Sequence, residues 1–137
     1  MANNSGGRVF LSDLDVEQQA VECERFRNVL YRERQVILAR AQRALSETMT
    51  VDEAERVDEM DFAIADNQQR LEMRMRGRER VLLRKIERAL ERLEGGEYFE
   101  CDHCGEDISL NRLRARPVTN VCIRCKEEQE MYERRYA

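Results

Sequence analysis

The stretch R-V-L-L-R-K-I-E-R-A-L-E-R-L-E-G-G, Arg80 to Gly96, decides the fold. Leu82, Ile86, Ala89 and Leu93 recur at intervals of three and four, the period of one face of an α-helix, with charged residues between them. Gly95 and Gly96 supply the stop, because a helix C-terminus favours a residue free to turn left-handed. Read backwards, the stripe continues through Met75, Leu71, Ile64 and Met60, so the spacing predicts a helix from about Met60 to Glu94. Gly77 interrupts it at a cost of ~1 kcal/mol relative to Ala, marking a bend, a close packing contact or a tolerated glycine.

A matching run lies upstream. Asp15 to about Met49 contains neither Gly nor Pro, and Cys23, Phe26, Leu30, Ile37, Ala41 and Ala44 form one stripe. At ~1.5 Å per residue each helix is roughly 50 Å long. Equal lengths and a short connector, Ser46 to Val57, favour an antiparallel hairpin within one chain, hence a monomer. Neither run keeps apolar residues at both a and d positions, as a long parallel dimer requires. The expected organisation is a mobile, polar N-terminal tail over residues 1–14, a helical hairpin coiled coil over 15–94 with its tip near 46–63, and a small globular region over 95–137. The fold class is mainly α.

Composition agrees with a narrow helical seam. Of the 137 residues 38% are charged and 6% aromatic, with one Pro and no Trp, too little for a thick core. The net charge of −4 argues against sequence-independent duplex binding, which depends on neutralising phosphates. No apolar run approaches the roughly 20 residues that span a bilayer, and M-A-N-N-S-G-G-R has no signal-peptide core. A cytoplasmic location is expected.

The globular region carries the strongest chemical signal. C-D-H-C-G at Cys101–Gly105 and C-I-R-C at Cys122–Cys125 are two C-x-x-C pairs at zinc-site spacing. In a reducing compartment such pairs point to metal rather than disulfides. Four thiolates, Cys101, Cys104, Cys122 and Cys125, close a tetrahedral shell, so one Zn2+ per chain is expected in a structural role. Gly105 permits the tight turn after the first pair. The second pair leads into a helix whose dipole would help to keep Cys122 and Cys125 ionised. His103 is read as a turn residue and Cys23 as a small core residue.

Asp58 and Asp61 stand three apart in the connector. A carboxylate pair at an exposed tip lacks the pocket that acid or base catalysis needs. A helix N-cap at Asp58 with a first-turn acid at Asp61 is the plain alternative. No enzyme is indicated.

With D-E-M-D-F-A in the connector, R-E-R-V-L-L-R-K-I-E-R-A-L in the second helix, then Y-F-E-C-D-H-C-G-E-D-I, R-L-R-A-R-P and V-C-I-R-C-K, the chain resembles the DksA/TraR zinc-finger transcription regulators of bacteria from about Phe26 to its C-terminus. The resemblance implies a protein that inserts its coiled coil into the secondary channel of RNA polymerase. There such proteins destabilise promoter open complexes together with guanosine tetraphosphate, in the stringent response. It places the family's tip motif D-x-x-D-x-A on Asp58, Asp61 and Ala63, with Glu59 and Met60 where the family often carries Pro. It places an alarmone site shared with polymerase on Leu82, Lys85, Arg116 and Lys126, and a polymerase contact on Arg78. Three cations and one apolar side chain make a sensible phosphate site. Two other readings stand beside it: a transcript-cleavage factor acting in the same channel, and a nucleic-acid-binding zinc module, against which acidic net charge and scarce aromatics weigh.

Overall fold

The computed structural model describes the backbone of residues 7–48 and 64–136, and the side chains of residues 7–47 and 69–136. The fold is mainly helical. A 3-10 turn, Leu11–Asp13, precedes α1, Val16–Thr48; α2, Ile64–Arg74, and α3, Gly77–Glu94, follow, then the short α4, Leu110–Ala115, and α5, Ile123–Tyr136. α1 and α3 contribute to two compact units, Arg32–Arg84 and a discontinuous one built from Met1–Tyr31 and Lys85–Ala137.

The unit Arg32–Arg84 is a helix pair of coiled-coil character. Its α1 segment buries Ile37, Ala41 and Leu45, a four-residue spacing that keeps them on one face, and its second segment buries Met75 and Leu83. The interruption predicted at Gly77 falls just before it. Met75 N–H bonds to Glu72 O at 3.2 Å, a three-residue step that closes α2, and Gly77 is the first residue of α3. A Cβ at Gly77 would meet nothing within 4 Å, so close packing is not its reason. Leu83, 8% exposed, is buried where the repeat had placed Leu82, which is 38% exposed.

The discontinuous unit holds the denser core. Tyr98, Leu30, Ile86, Ile108, Leu110 and Leu113 are fully buried, each contributing roughly 1.5–3 kcal/mol by removal from water. Phe26 of α1 meets Tyr98 and Phe99 at ring-centroid distances of 5.5 and 5.8 Å, while the latter two stand edge to face at 5.0 Å. Offset and edge contacts of this kind suit the aromatic quadrupole. The Tyr98 hydroxyl donates to Pro117 O at 2.7 Å, so the buried phenol is satisfied. α3 ends where the sequence places its stop: Gly96 has φ of 78° and Glu97 N–H returns to Arg92 O at 2.8 Å.

Part of the segment expected to be a mobile tail is tied down. Val9 O accepts from Leu110 N–H at 2.7 Å, Val9 N–H donates to Asn111 Oδ1 at 3.1 Å, and Ser12 Oγ lies 3.2 Å from Asp107 Oδ2. The physical reason is mutual satisfaction: Leu110 opens α4, where backbone N–H groups lack helical partners, and Val9 supplies one.

Candidate functional site

The four cysteines converge. The Sγ atoms of Cys101, Cys104, Cys122 and Cys125 all lie within 4.8 Å of one another. Cys104 Sγ and Cys122 Sγ are 3.8 Å apart, the edge of a tetrahedron whose centre-to-sulfur distance is ~2.3 Å. The donor set therefore fits a tetrahedral metal ion, with no protein position left open. His103 is exposed and stands outside this group; its backbone N–H donates to Cys101 Sγ at 3.4 Å.

Local structure explains the convergence. After the first pair, Gly105 turns at φ of 77° and its N–H bonds to Cys101 O at 2.9 Å. Cys101 N–H reaches Glu106 O and Ile108 N–H reaches Phe99 O, both at 2.8 Å, around the antiparallel bridge of Glu100 with Asp107. The second pair sits at the start of α5, with Lys126 N–H on Cys122 O at 3.0 Å. The two turns are stitched together: Asp102 N–H bonds to Asn120 O at 2.8 Å, and Asn120 Nδ2 donates to Asp102 Oδ2 at 3.0 Å. Arg112 braces the approach to the second, donating from Nε to Val121 O at 2.9 Å and from Nη2 to Thr119 Oγ1 at 3.2 Å. Arg92 fixes the first to the end of α3, with Nη2 donating to Glu97 O and Glu100 O at 3.1 and 2.5 Å.

The electrostatics call for a cation. Burial works to raise the Cys101 thiol, yet backbone N–H groups of Cys104, Cys122 and His103 and the Cys104 side chain bring it down to about 6. Cys125 is pushed up to about 12, first by burial and then by hydrogen bonds with the other three cysteines. Thiolates this close all become charged only around a positive ion, which is what a divalent metal supplies. Cys23, on α1, is half-buried, and burial raises its thiol.

The other candidate residues fall as follows. Lys85, Arg116 and Lys126 belong to the same compact unit as the cysteines, and none of the three forms an ion pair among the described residues. Lys85 and Arg116 are exposed and Lys126 is half-buried. Leu82 and Arg78 are exposed residues of the helix pair. Asp58, Asp61 and Ala63, with the connector around them, lie outside the described residues. Sequence reasoning missed Glu22, a buried carboxylate on α1 joined by Arg25 at 3.1 Å and by Arg114 at 3.2 Å. The only available signal was a Glu one position before the apolar stripe, too common to notice.

Comparison with known proteins covers this whole arrangement. The model for the N-terminal domain of DnaK suppressor protein DksA matches residues 22–93, and that for the prokaryotic dksA/traR C4-type zinc finger matches residues 95–130. The chain is 42% identical over 80 residues to the RNA polymerase-binding transcription factor DksA of Haemophilus influenzae, over 58% of this chain and 55% of that protein. It is 40% identical over 80 residues to the Escherichia coli K12 protein of the same name, over 58% of this chain and 53% of that one. The matched regions therefore span about half the length of these relatives. The solved structure of transcription factor DksA2 from Pseudomonas aeruginosa superposes with a TM-score of 0.62 at 35% identity, over 90% of this chain and 95% of that one.

Proposed function

Because the chain belongs to the DksA/TraR family of RNA polymerase-binding transcription regulators, we propose that it regulates bacterial transcription initiation by entering the secondary channel of RNA polymerase. It acts there with guanosine tetraphosphate to destabilise open complexes. The observation that carries this reading is the pairing, in one chain, of a long helix pair with a four-cysteine cluster, across family matches over residues 22–93 and 95–130.

In this reading the helix pair is an antiparallel hairpin of a cytoplasmic monomer. A helix of 33 residues such as α1 is ~50 Å long, enough to carry a small acidic end deep into a channel that excludes a globular domain. Asp58, Asp61 and Ala63 form that end, and their charge biases the surroundings of the polymerase active centre without chemistry of their own. Cys101, Cys104, Cys122 and Cys125 hold one Zn2+, which supplies folding energy and no reaction. Lys85, Arg116 and Lys126 take the phosphates of guanosine tetraphosphate, Leu82 adds an apolar contact, and polymerase completes the site; Arg78 contacts polymerase. The absence of ion pairs on the three cations among the described residues supports this.

The test is the lifetime of open complexes at a ribosomal RNA promoter with cognate polymerase. Zinc-loaded protein is expected to shorten it, and guanosine tetraphosphate to shorten it further. An unchanged lifetime with folded, zinc-loaded protein would remove the proposal.

A further inference from the structure

Charge along the chain is segregated in a way that the tip and the alarmone positions do not use. The described stretches of the helix pair, residues 32–48 and 64–84, carry ten arginines against five acidic residues, in a chain whose net charge is −4. The connector between them, residues 49–63, has the opposite balance, with six acidic residues and one arginine. Eight of the ten arginines are exposed, and those eight form no ion pair among the described residues.

A merely solvated charged helix reads differently. Nearer its start, α1 alternates signs, and Glu22–Arg25 and Glu24–Arg27 pair at three-residue spacing, 3.1 and 2.7 Å apart. In the helix pair, like charges repeat instead: Arg76, Arg80 and Arg84 are four apart, a spacing at which cations repel. That repulsion is relieved when a partner brings anions.

The placement says what form the partner takes. At about 100° per residue, Arg32 and Arg43 lie roughly opposite the buried edge Ile37–Ala41–Leu45 of α1, and Arg40 lies at its flank. On α3, Arg80 is turned about 60° to one side of Leu83 and Arg78 about 140° to the other. Cations thus face outward from both helices and on more than one side of each. A duplex or a flat surface would engage one side and leave the rest unmatched. A wall that encloses the pair engages all of them, and guanidinium groups match carboxylates with paired hydrogen bonds.

We infer that the arginine-dense helix pair is a docking surface for a carboxylate-rich protein wall that surrounds it. The inference rests on the proposed function, and so assigns this wall to the lining of the polymerase secondary channel. Its role is to draw the helix pair in and hold its register.

The experiment is equilibrium binding of the full-length, zinc-loaded chain to RNA polymerase across a salt series. It compares wild type, a variant carrying Arg32→Gln, Arg40→Gln, Arg43→Gln and Arg80→Gln, and a second variant with the same four changed to Lys. The Gln variant is expected to bind roughly 10- to 100-fold more weakly at low salt and to approach wild type at high salt. The Lys variant is expected to stay within about threefold of wild type, which also reports that the four positions tolerate change. A Gln variant that binds within about twofold of wild type, with a parallel salt dependence, overturns the inference and leaves the proposed function standing. No binding by wild type overturns both. Tight binding of wild type to free single-stranded RNA, lost in the Gln variant, replaces carboxylates by phosphates and overturns the assignment.

Discussion

Arg114 and Glu22, 92 residues apart in sequence, meet at 3.2 Å through Nη2 and Oε1. The same carboxylate oxygen takes Arg25 Nη1 at 3.1 Å, while Glu22 Oε2 is buried with no hydrogen-bond partner among the described residues. Arg114→Ala withdraws half of the support from a carboxylate that is only 8% exposed. Because Arg114 itself is partly solvated, a loss of about 1–2 kcal/mol is expected rather than the full cost of a buried pair. Glu22→Gln keeps an acceptor and removes the charge, and is expected to stay within about 1 kcal/mol of wild type. Urea midpoints decide; the reverse order would mean that the pair does not support the fold.

Tyr98→Phe keeps the ring against Phe26 and Phe99 but leaves Pro117 O without its donor. A loss of about 1 kcal/mol is expected. Phe26→Ala, which empties the centre of the aromatic trio, is expected to cost about 3–5 kcal/mol. Comparable midpoints for the two variants would show that the trio is not a packing centre.

Cys104→Ser removes one corner of the cluster, 3.8 Å from Cys122 Sγ. Metal content measured by mass spectrometry under native conditions is expected to fall from one zinc per chain to substoichiometric, with thermal stability falling alongside. His103→Ala is expected to retain the metal, since His103 lies outside the cluster. Loss of zinc in the His103 variant would place it among the ligands.

The metal-free protein offers a pH test. Cys101 is brought down to about 6 in the fold from 9.0. A thiol depressed on folding binds more protons in the unfolded chain, so its stabilising contribution is complete above about 9 and is lost as pH falls to about 6. Cys125, raised to about 12, has the opposite sign: its contribution is complete below 9.0 and is lost as pH rises toward about 12. Under reducing conditions with chelator, the urea midpoint should therefore rise from pH 6 to pH 9 and fall beyond. Cys101→Ser should flatten the rising limb, and an unchanged limb would assign it to another group.

Asp61→Asn is expected to leave polymerase binding largely intact while abolishing the effect on open complexes. Lys85→Ala is expected to keep basal activity and lose synergy with guanosine tetraphosphate. Lost binding in the first, measured by competition, or full synergy in the second would mean that these residues act elsewhere.

The parts that a single chemistry dictates were legible in the sequence. The spacing of Cys101, Cys104, Cys122 and Cys125 pointed to one cluster, and their Sγ atoms converge within 4.8 Å. Gly95 and Gly96 announced the end of α3, and a helix predicted from Asp15 to about Met49 appears as Val16–Thr48. What depends on a choice between neighbours was not legible. Leu82 and Leu83 are the same residue type, yet Leu83 is buried and Leu82 is left at the surface, a choice that packing makes and spacing does not. Val9 and Glu22 gain their roles from partners about a hundred positions away, beyond any local pattern.

The bond from Leu110 N–H to Val9 O also sets a timetable. The first 31 residues belong to a unit whose remaining part begins only at Lys85. During synthesis at roughly 5–20 residues per second, the first turns of α1 wait several seconds on the ribosome with Phe26 and Leu30 uncovered. Phe26 gains its aromatic cover only when Tyr98 and Phe99, more than seventy positions later, have been made.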